Sequence, residues 1–390
     1  MTSDPIQLDV PTLGQCTVPS PMSGIPFVED KERVLYHSTL EETKADLEQG
    51  NPLPSFEMAG PREFIYFDPS DLRCGIVTCG GICPGLNDVI RALVMSLYHH
   101  YGVKTIYGFR YGYEGLSAQH RHTAMNLSPQ KVINIHLTGG TILGSSRGPQ
   151  DIAEMVDTLE WMNVSILSNV DKSFGFETAV AQTRSAIYSA HVEAAGARNG
   201  IGLVKLMGRE SGFIAAHAVL ACSDANFCLI PELQFTLKGL MKGLEKRLES
   251  RGHAVIVVAE GAGQDLAGNT GEVDPSGNVR FQDIGIFLRD RINEYFKKVG
   301  RPITLKYIDP SYTIRSMPAN PHDSVFCLML GHHAVHAGMT GRTNMLVGHW
   351  NGEYTHVPIP LAVSRRKRID PRGRFWSSVL ESTGQPRDLT

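Results

Sequence analysis

The sequence predicts an α/β fold built from βαβ units around a parallel sheet, and three observations predict it. Short apolar β-type runs recur along the chain, among them CGIVTCGG at 74–81, IGLVKLMG at 201–208 and HAVIVVAEG at 253–261. Amphipathic helical patterns such as LNDVIRALVMSLYHHY at 86–101 alternate with them. Several of the runs end in Gly, and the carboxyl ends of parallel strands are where such folds hold ligands.

Taken in order, residues 1–60 carry Pro5, Pro11, Pro19, Pro21, Pro26, Pro52 and Pro54 and read as an extended arm with one short helix at 39–47. The strand–helix rhythm begins at Leu72 and runs through KTIYGFRYG, NVSIL and NFCLIPE. The basic run RRKR at 365–368 reads as a solvated tail, being shorter than a polyanion-binding stretch.

Composition narrows the class. With 42% hydrophobic and 20% charged residues, the 390-residue chain has the make-up of an ordinary globular protein. Lys+Arg 37 against Asp+Glu 40 gives a net charge of -3, which argues against a nucleic-acid binder. Seven cysteines do not make a disulfide framework. The start MTSDPIQLDV lacks a signal-peptide pattern, and the longest apolar stretch, 254–259, is too short to span a bilayer. The expectation is a cytoplasmic protein that makes no membrane contact.

Three clusters suit phosphate. In IVTCGGICPGLN (76–87) a strand gives way to a double Gly and then to a helix N-terminus, where backbone N–H groups can approach an anion. The pattern is neither a dinucleotide fingerprint nor a P-loop. In GGTILGSSRG (139–148) small residues surround one guanidinium, and in VKLMGRESGF (204–213) Arg209 follows a strand end just before a helix. Glu260 closes another strand with a carboxylate suited to sugar hydroxyls, and KYIDPSYTIR (306–315) adds Tyr312 and Arg315. Cys79 and Cys83 read as small turn residues. His332, His333 and His336 read as imidazoles on a helix surface, since no acidic residue completes a zinc motif.

Together and in this order the clusters resemble the phosphofructokinase family, in its plant-type ATP-dependent branch, from about Pro61 to Ile359. The resemblance implies two similar Rossmann-like, three-layer domains with mainly parallel sheets. Residues 61–200, completed by 316–362, would form the donor-nucleotide side, and 201–315 the sugar-phosphate side. An extension at 1–60 and a tail at 363–390 would flank them. It implies 6-phosphofructokinase activity: ATP, or pyrophosphate, with Mg²⁺ and fructose 6-phosphate, in a homo-oligomer. Residue by residue, Gly80, with Gly81 beside it, and Arg147 with Gly148 match nucleotide contacts. Met207, Gly208, Arg209 and Glu260 match sugar contacts. Tyr312, Thr313, Ile314 and Arg315 match the segment on the sugar phosphate, and Lys306 stands where relatives carry a phosphate-binding Arg.

One departure stands out. After NVSIL the family continues through a GGDGT loop and a PKTIDND segment before DKSFGF, whereas this chain passes from Leu167 through Ser168, Asn169 and Val170 to Asp171. Those motifs supply the family's Mg²⁺ carboxylate, donor cradle and general base. The resemblance therefore assigns this chain no catalytic residue and no metal ligand. The first domain should lack part of its sheet and expose apolar helix faces. The alternatives are a non-catalytic sugar-phosphate-binding relative or a mis-spliced coding sequence.

Overall fold

In the computed structural model, which describes residues 8–48, 52–170, 174–268, 271–273, 277, 279–364 and 366–390, the chain divides into two compact units. One draws on Met1–Phe174 and Pro321–Arg366, the other on Gly175–Asn320 and Lys367–Thr390. Asp171, Lys172, Ser173 and Arg365 lie outside the described residues.

The first unit is centred on strand Arg73–Thr78, which pairs in parallel with Thr105–Gly108 on one side and Ile166–Val170 on the other. Met125–Asn126 adds an antiparallel edge beyond Thr105–Gly108. Side chains alternate across the sheet with period two. Cys74, Ile76 and Ile106 pack on one face with residues of helices Leu86–His99 and Pro321–Met339. Val77 and Phe109 pack on the other with Met155, Leu159 and Leu167. That second face is thinly covered. Helix Ile152–Trp161, capped by Asp151, buries none of its residues, and Trp161 is 86% exposed. Ile166–Val170 is the last strand of its sheet.

Residues 8–60 do not form a mere arm. Arg33–Leu35 and Ser55–Met58 join Glu353–Pro358 and Met345–Trp350 in an antiparallel sheet, while the expected helix spans Leu40–Glu48. The last two strands meet at Asn351-Gly352, both at positive φ, as a tight hairpin requires. A buried ion cluster fastens the segment: Glu57 accepts from Arg342 Nε at 2.8 Å and His356 Nδ1 at 3.0 Å, and Arg62 donates to Asp30 at 2.9 Å. Burial alone would raise the Glu57 carboxyl, but the hydrogen bonds from His356 and Arg342 prevail and hold it far below the usual range.

His333 and His336 of helix Pro321–Met339 are not the surface imidazoles the sequence suggested. Their helix packs against both helix Leu86–His99 and the antiparallel sheet. His336 is 6% exposed and bonded to Tyr101 Oη at 2.8 Å, and His333 stacks on Tyr354 with both ring nitrogens unpaired. Burial pushes their pKa values down to about 4 for His333 and about 3 for His336.

Among the described residues the second unit is a three-layer sandwich. Its four strands, ordered Phe227–Leu229, His253–Ala259, Gly200–Leu206 and Thr304–Ile308, are all parallel. Val204, Leu206, Val255 and Val257 face helices Phe176–Ala195, Phe213–Cys222 and Arg374–Thr383. Ile201, Leu203, Ile256 and Val258 face Leu237–Arg251 and Ile284–Lys298. The segment after 368 is no loose tail, because Trp376 and Val379 are fully buried. Burying such side chains is worth about 1.5–3 kcal/mol each. Lys205 bridges Asp283 at 2.6 Å and Asp309 at 2.9 Å, and Asp283 also caps Ile284–Lys298. Burial opposes all three charges, yet the mutual hydrogen bonds raise the Lys205 pKa and lower those of both carboxyls.

Two outcomes follow for stability. An unfolded His binds a proton near pH 6.5, whereas folded His333 and His336 stay neutral to about pH 4 and about pH 3. The unfolded state thus binds more protons in that window, and stability falls as pH drops through it, by several kcal/mol in all. Thermal unfolding from pH 7 to pH 4 measures this, and His333→Phe should flatten the fall. Lys205→Met leaves two half-buried carboxylates facing each other and should cost about 2–3 kcal/mol in a denaturant titration.

Candidate functional site

The residues singled out from the sequence fall into two groups, one in each unit. In the first unit the two Gly-rich segments, some sixty residues apart in sequence, lock together where strand Arg73–Thr78 ends. Gly80 N donates to Ser146 O at 3.1 Å, and Ser145 Oγ donates to Gly80 O at 2.8 Å. Thr78 Oγ1 donates to Gly144 O at 2.5 Å. Asn87, in the first turn of helix Leu86–His99, accepts from Ile142 N at 2.9 Å and donates to Thr138 O at 3.0 Å. Gly80, at φ 84°, takes a backbone turn that a side chain would strain, which keeps the amide close to the second loop. Gly81 is buried beside it, and Arg147 and Gly148 follow on the second loop with the guanidinium exposed. Among the described residues Arg147 has no ion-pair partner. Small residues, a helix N-terminus and one uncommitted cation make a cradle fit for a nucleotide phosphate.

A magnesium ion does not fit this cradle. Mg²⁺ is held through oxygens and usually one or two carboxylates. Neither 78–85 nor 138–148 contains Asp or Glu. The adjacent Asp88 is buried at 8%, and that burial raises its pKa.

The second group gathers at the carboxyl ends of the parallel strands of the second unit. Glu260 follows His253–Ala259, and Met207 to Arg209 follow the neighbouring Gly200–Leu206. Glu260 Oε1 lies 3.5 Å from Gly208 N, and Gly261 N donates to Gly208 O at 3.0 Å. Gly208 sits at φ 147°, and a Cβ there would come within 2.7 Å of Ser211 O. Arg315 reaches in from the short helix Ser311–Arg315, its Nε 3.1 Å from Met207 Sδ. No carboxylate pairs with Arg315 among the described residues. The Arg315 guanidinium at Met207 can bind an anion, and the Glu260 carboxylate can accept from a hydroxyl.

The remaining residues are placed differently. Arg209 lies over the Phe281 ring at 4.4 Å and donates to Val279 O, which turns it onto the 279–281 loop. Tyr312 is 82% exposed and Thr313 is exposed beside it, whereas Ile314 is buried, with 1% of the residue exposed. Lys306 is exposed on edge strand Thr304–Ile308, paired with Gly202, several residues before the strand ends where the others gather.

Sequence reasoning passed over the residues that hold these groups in place. Asn87 stood inside a quoted motif but bears the inter-loop bonds, and Glu232 accepts from both Gly212 N, at 3.0 Å, and Ile369 N, at 2.9 Å. Asp309, held by Lys205, accepts from Ser311 N at 3.0 Å and so seats the helix that carries Arg315. Polar residues at strand and helix ends were the available signal, but their partners are far away in sequence.

Comparison with known proteins bears on the family and the fold. The Phosphofructokinase family model matches residues 73–170 and 167–338. The ATP-dependent 6-phosphofructokinase of Borreliella burgdorferi is 44% identical, covering 98% of this chain and 97% of the relative. That of Amycolatopsis methanolica is also 44% identical, over 98% and 95%. The chloroplastic ATP-dependent 6-phosphofructokinase 5 of Arabidopsis thaliana is 42% identical over 84% and 68%. Among solved structures, a pyrophosphate-dependent phosphofructokinase from Marinobacter aquaeolei superposes with a TM-score of 0.64 at 13% identity, covering 80% of this chain and 91% of that one. That likeness shows the two-layered-by-helices α/β fold. On the family match and on relatives similar along nearly their whole length, the chain belongs to the phosphofructokinase family.

Proposed function

We propose that the chain is a 6-phosphofructokinase sequence of the plant-type branch that retains its sugar-phosphate site and lacks the segment carrying the chemistry. The complete enzyme would move a phosphoryl group from ATP, with Mg²⁺, to fructose 6-phosphate and give fructose 1,6-bisphosphate. Gly80, Gly81, Arg147 and Gly148 would hold the nucleotide. Met207, Gly208, Arg209, Glu260 and the 312–315 segment would hold the sugar phosphate, with Lys306 a further contact. A cytoplasmic homo-oligomer is the setting proposed; among the described residues no helix is long and apolar enough to cross a membrane.

One observation carries the reading: the chain goes from strand Ile166–Val170 straight into Asp171, with no GGDGT and no PKTIDND anywhere. Three others support it. The family match comes in two pieces that meet at 167–170. The alignment with the Borreliella relative is 437 positions long although this chain has 390 residues, so dozens of positions stand opposite gaps. Ile166–Val170 is an edge strand, and the neighbouring helix leaves Ile152 73% and Trp161 86% exposed, as an interrupted sheet would.

Phosphoryl transfer rests on positioning and charge neutralisation by a metal that bridges the donor phosphates. A general base adds roughly 10²–10⁴-fold. Without either, the expected result of a coupled assay on the purified chain is no turnover with ATP or with pyrophosphate. Robust turnover with either donor would overturn the proposal. A transcript read across Leu167 to Asp171 that restores both motifs would identify a mis-spliced coding sequence, and the restored chain should then turn over.

The acceptor site gives an independent measurement. Calorimetry should show saturable binding of fructose 6-phosphate, and Arg315→Ala should weaken it about 10- to 100-fold, the worth of a charge-assisted hydrogen bond. Unchanged affinity in that variant would remove Arg315 from the site.

A further inference from the structure

Beside the donor-side loops lies a group of side chains that the proposed reaction does not use. We propose that Glu114, His120 and His122 form a binding site for a divalent transition metal of the Zn²⁺ class. One ligand atom from each lies within 4.8 Å of the other two. Tetrahedral zinc with nitrogen and oxygen ligands needs donors roughly 3.3 Å apart, a closure that small side-chain rotations supply.

The backbone prepares this convergence. Glu114 sits on the 3₁₀ turn Gly112–Leu116 and His120 ends the turn Ala118–His120. Arg121, at φ 52°, reverses the chain so that His122 comes alongside His120, the rings 6.0 Å apart and only 3° from parallel. Glu154 on helix Ile152–Trp161 pins the loop from behind, accepting from Ser117 Oγ at 3.0 Å and Gln119 N at 3.2 Å. The Tyr111 ring braces His122 at 4.8 Å, and Tyr111 N donates to Leu143 O at 2.8 Å.

Glu114 and His122 are half-buried and His120 is exposed, so an ion from solvent can reach all three. The Glu114 carboxylate and the ring nitrogens of His120 and His122 have no hydrogen-bond or ion-pair partner among the described residues. Three lone-pair donors are therefore gathered without a protein proton donor to hold them. Two imidazoles and one carboxylate suit Zn²⁺ and its neighbours, leaving a fourth position for water, and they do not suit Mg²⁺, which prefers six oxygens. The site is distinct from the Mg²⁺ position of the proposed reaction, whose ligand the resemblance places in the absent GGDGT.

The test uses the full chain freed of metal with a chelator and titrated near neutral pH. Zn²⁺ calorimetry should show one ion per chain, and Co²⁺ should develop the visible absorption of a four-coordinate site. Excess Mg²⁺ should displace neither. His120→Ala, His122→Ala and Glu114→Gln should each weaken Zn²⁺ by roughly tenfold or more, and Zn²⁺ should raise the thermal midpoint of the parent but not of the variants. Circular dichroism of the metal-free variants checks that they fold as the parent does. No Zn²⁺ binding, or binding unchanged in the His120→Ala/His122→Ala double variant, would overturn the proposal. Because none of these readouts needs turnover, the result stands apart from the fate of the kinase reading.

Discussion

A parallel strand covered on both faces has nowhere to place polar chemistry except at its ends, and most of this molecule follows from that constraint. In the second unit, Gly200–Leu206 and His253–Ala259 spend every side chain but Lys205 and the terminal imidazole on two apolar layers. The chemistry gathers just beyond them, at Met207, Gly208 and Glu260. Glycine is required there because the backbones of 208 and 261 approach one another to hydrogen-bonding distance. The one charged side chain inside the sheet is tolerated because two carboxylates neutralise it, and they in turn fasten a helix cap and the seat of Arg315.

The same constraint explains what is irregular in the first unit. Its central strand ends in the same manner, with Gly80 latched to Ser145 and Ser146, but its sheet stops at Ile166–Val170. A covered parallel strand wants a neighbour, and a helix laid over the sheet wants an apolar floor. Helix Ile152–Trp161 has little of either: Met155 and Leu159 touch the sheet, while Ile152, Val156 and Trp161 face water. The local signals of this helix, an Asp151 cap and an amphipathic pattern, are intact. What is short is the surface it packs on.

Burial also reshapes the electrostatics. The charges of Glu57, Arg342 and Arg62, with the buried imidazole of His356 on Glu57, join a segment near the chain start to residues some three hundred positions later, and each charge has a partner in place of the water it loses. His333 and His336 have no such carboxylate and remain neutral instead. The two outcomes make acid the natural stress on this unit, since it protonates the unfolded imidazoles first and the paired carboxylate last.

By itself the sequence determined the element types, the Gly-terminated strand ends, the family and the absence of two motifs. Each of these is local: a run of apolar residues, a turn glycine, or a string of neighbours in fixed order. Tertiary structure decided the rest. The proline-rich first sixty residues contribute two strands to the antiparallel sheet, fastened where Glu57 meets Arg342 and His356, and the final helix is bound because Trp376 and Val379 pack over the second sheet. The helix that reads as a bearer of surface imidazoles is buried because it lies between another helix and a sheet. Arg209 leaves its neighbour Gly208 for Phe281, and Glu114 meets His122 across a reversal at Arg121. Such contacts join residues whose separation along the chain carries no periodic signal, so only the packed chain can bring them together.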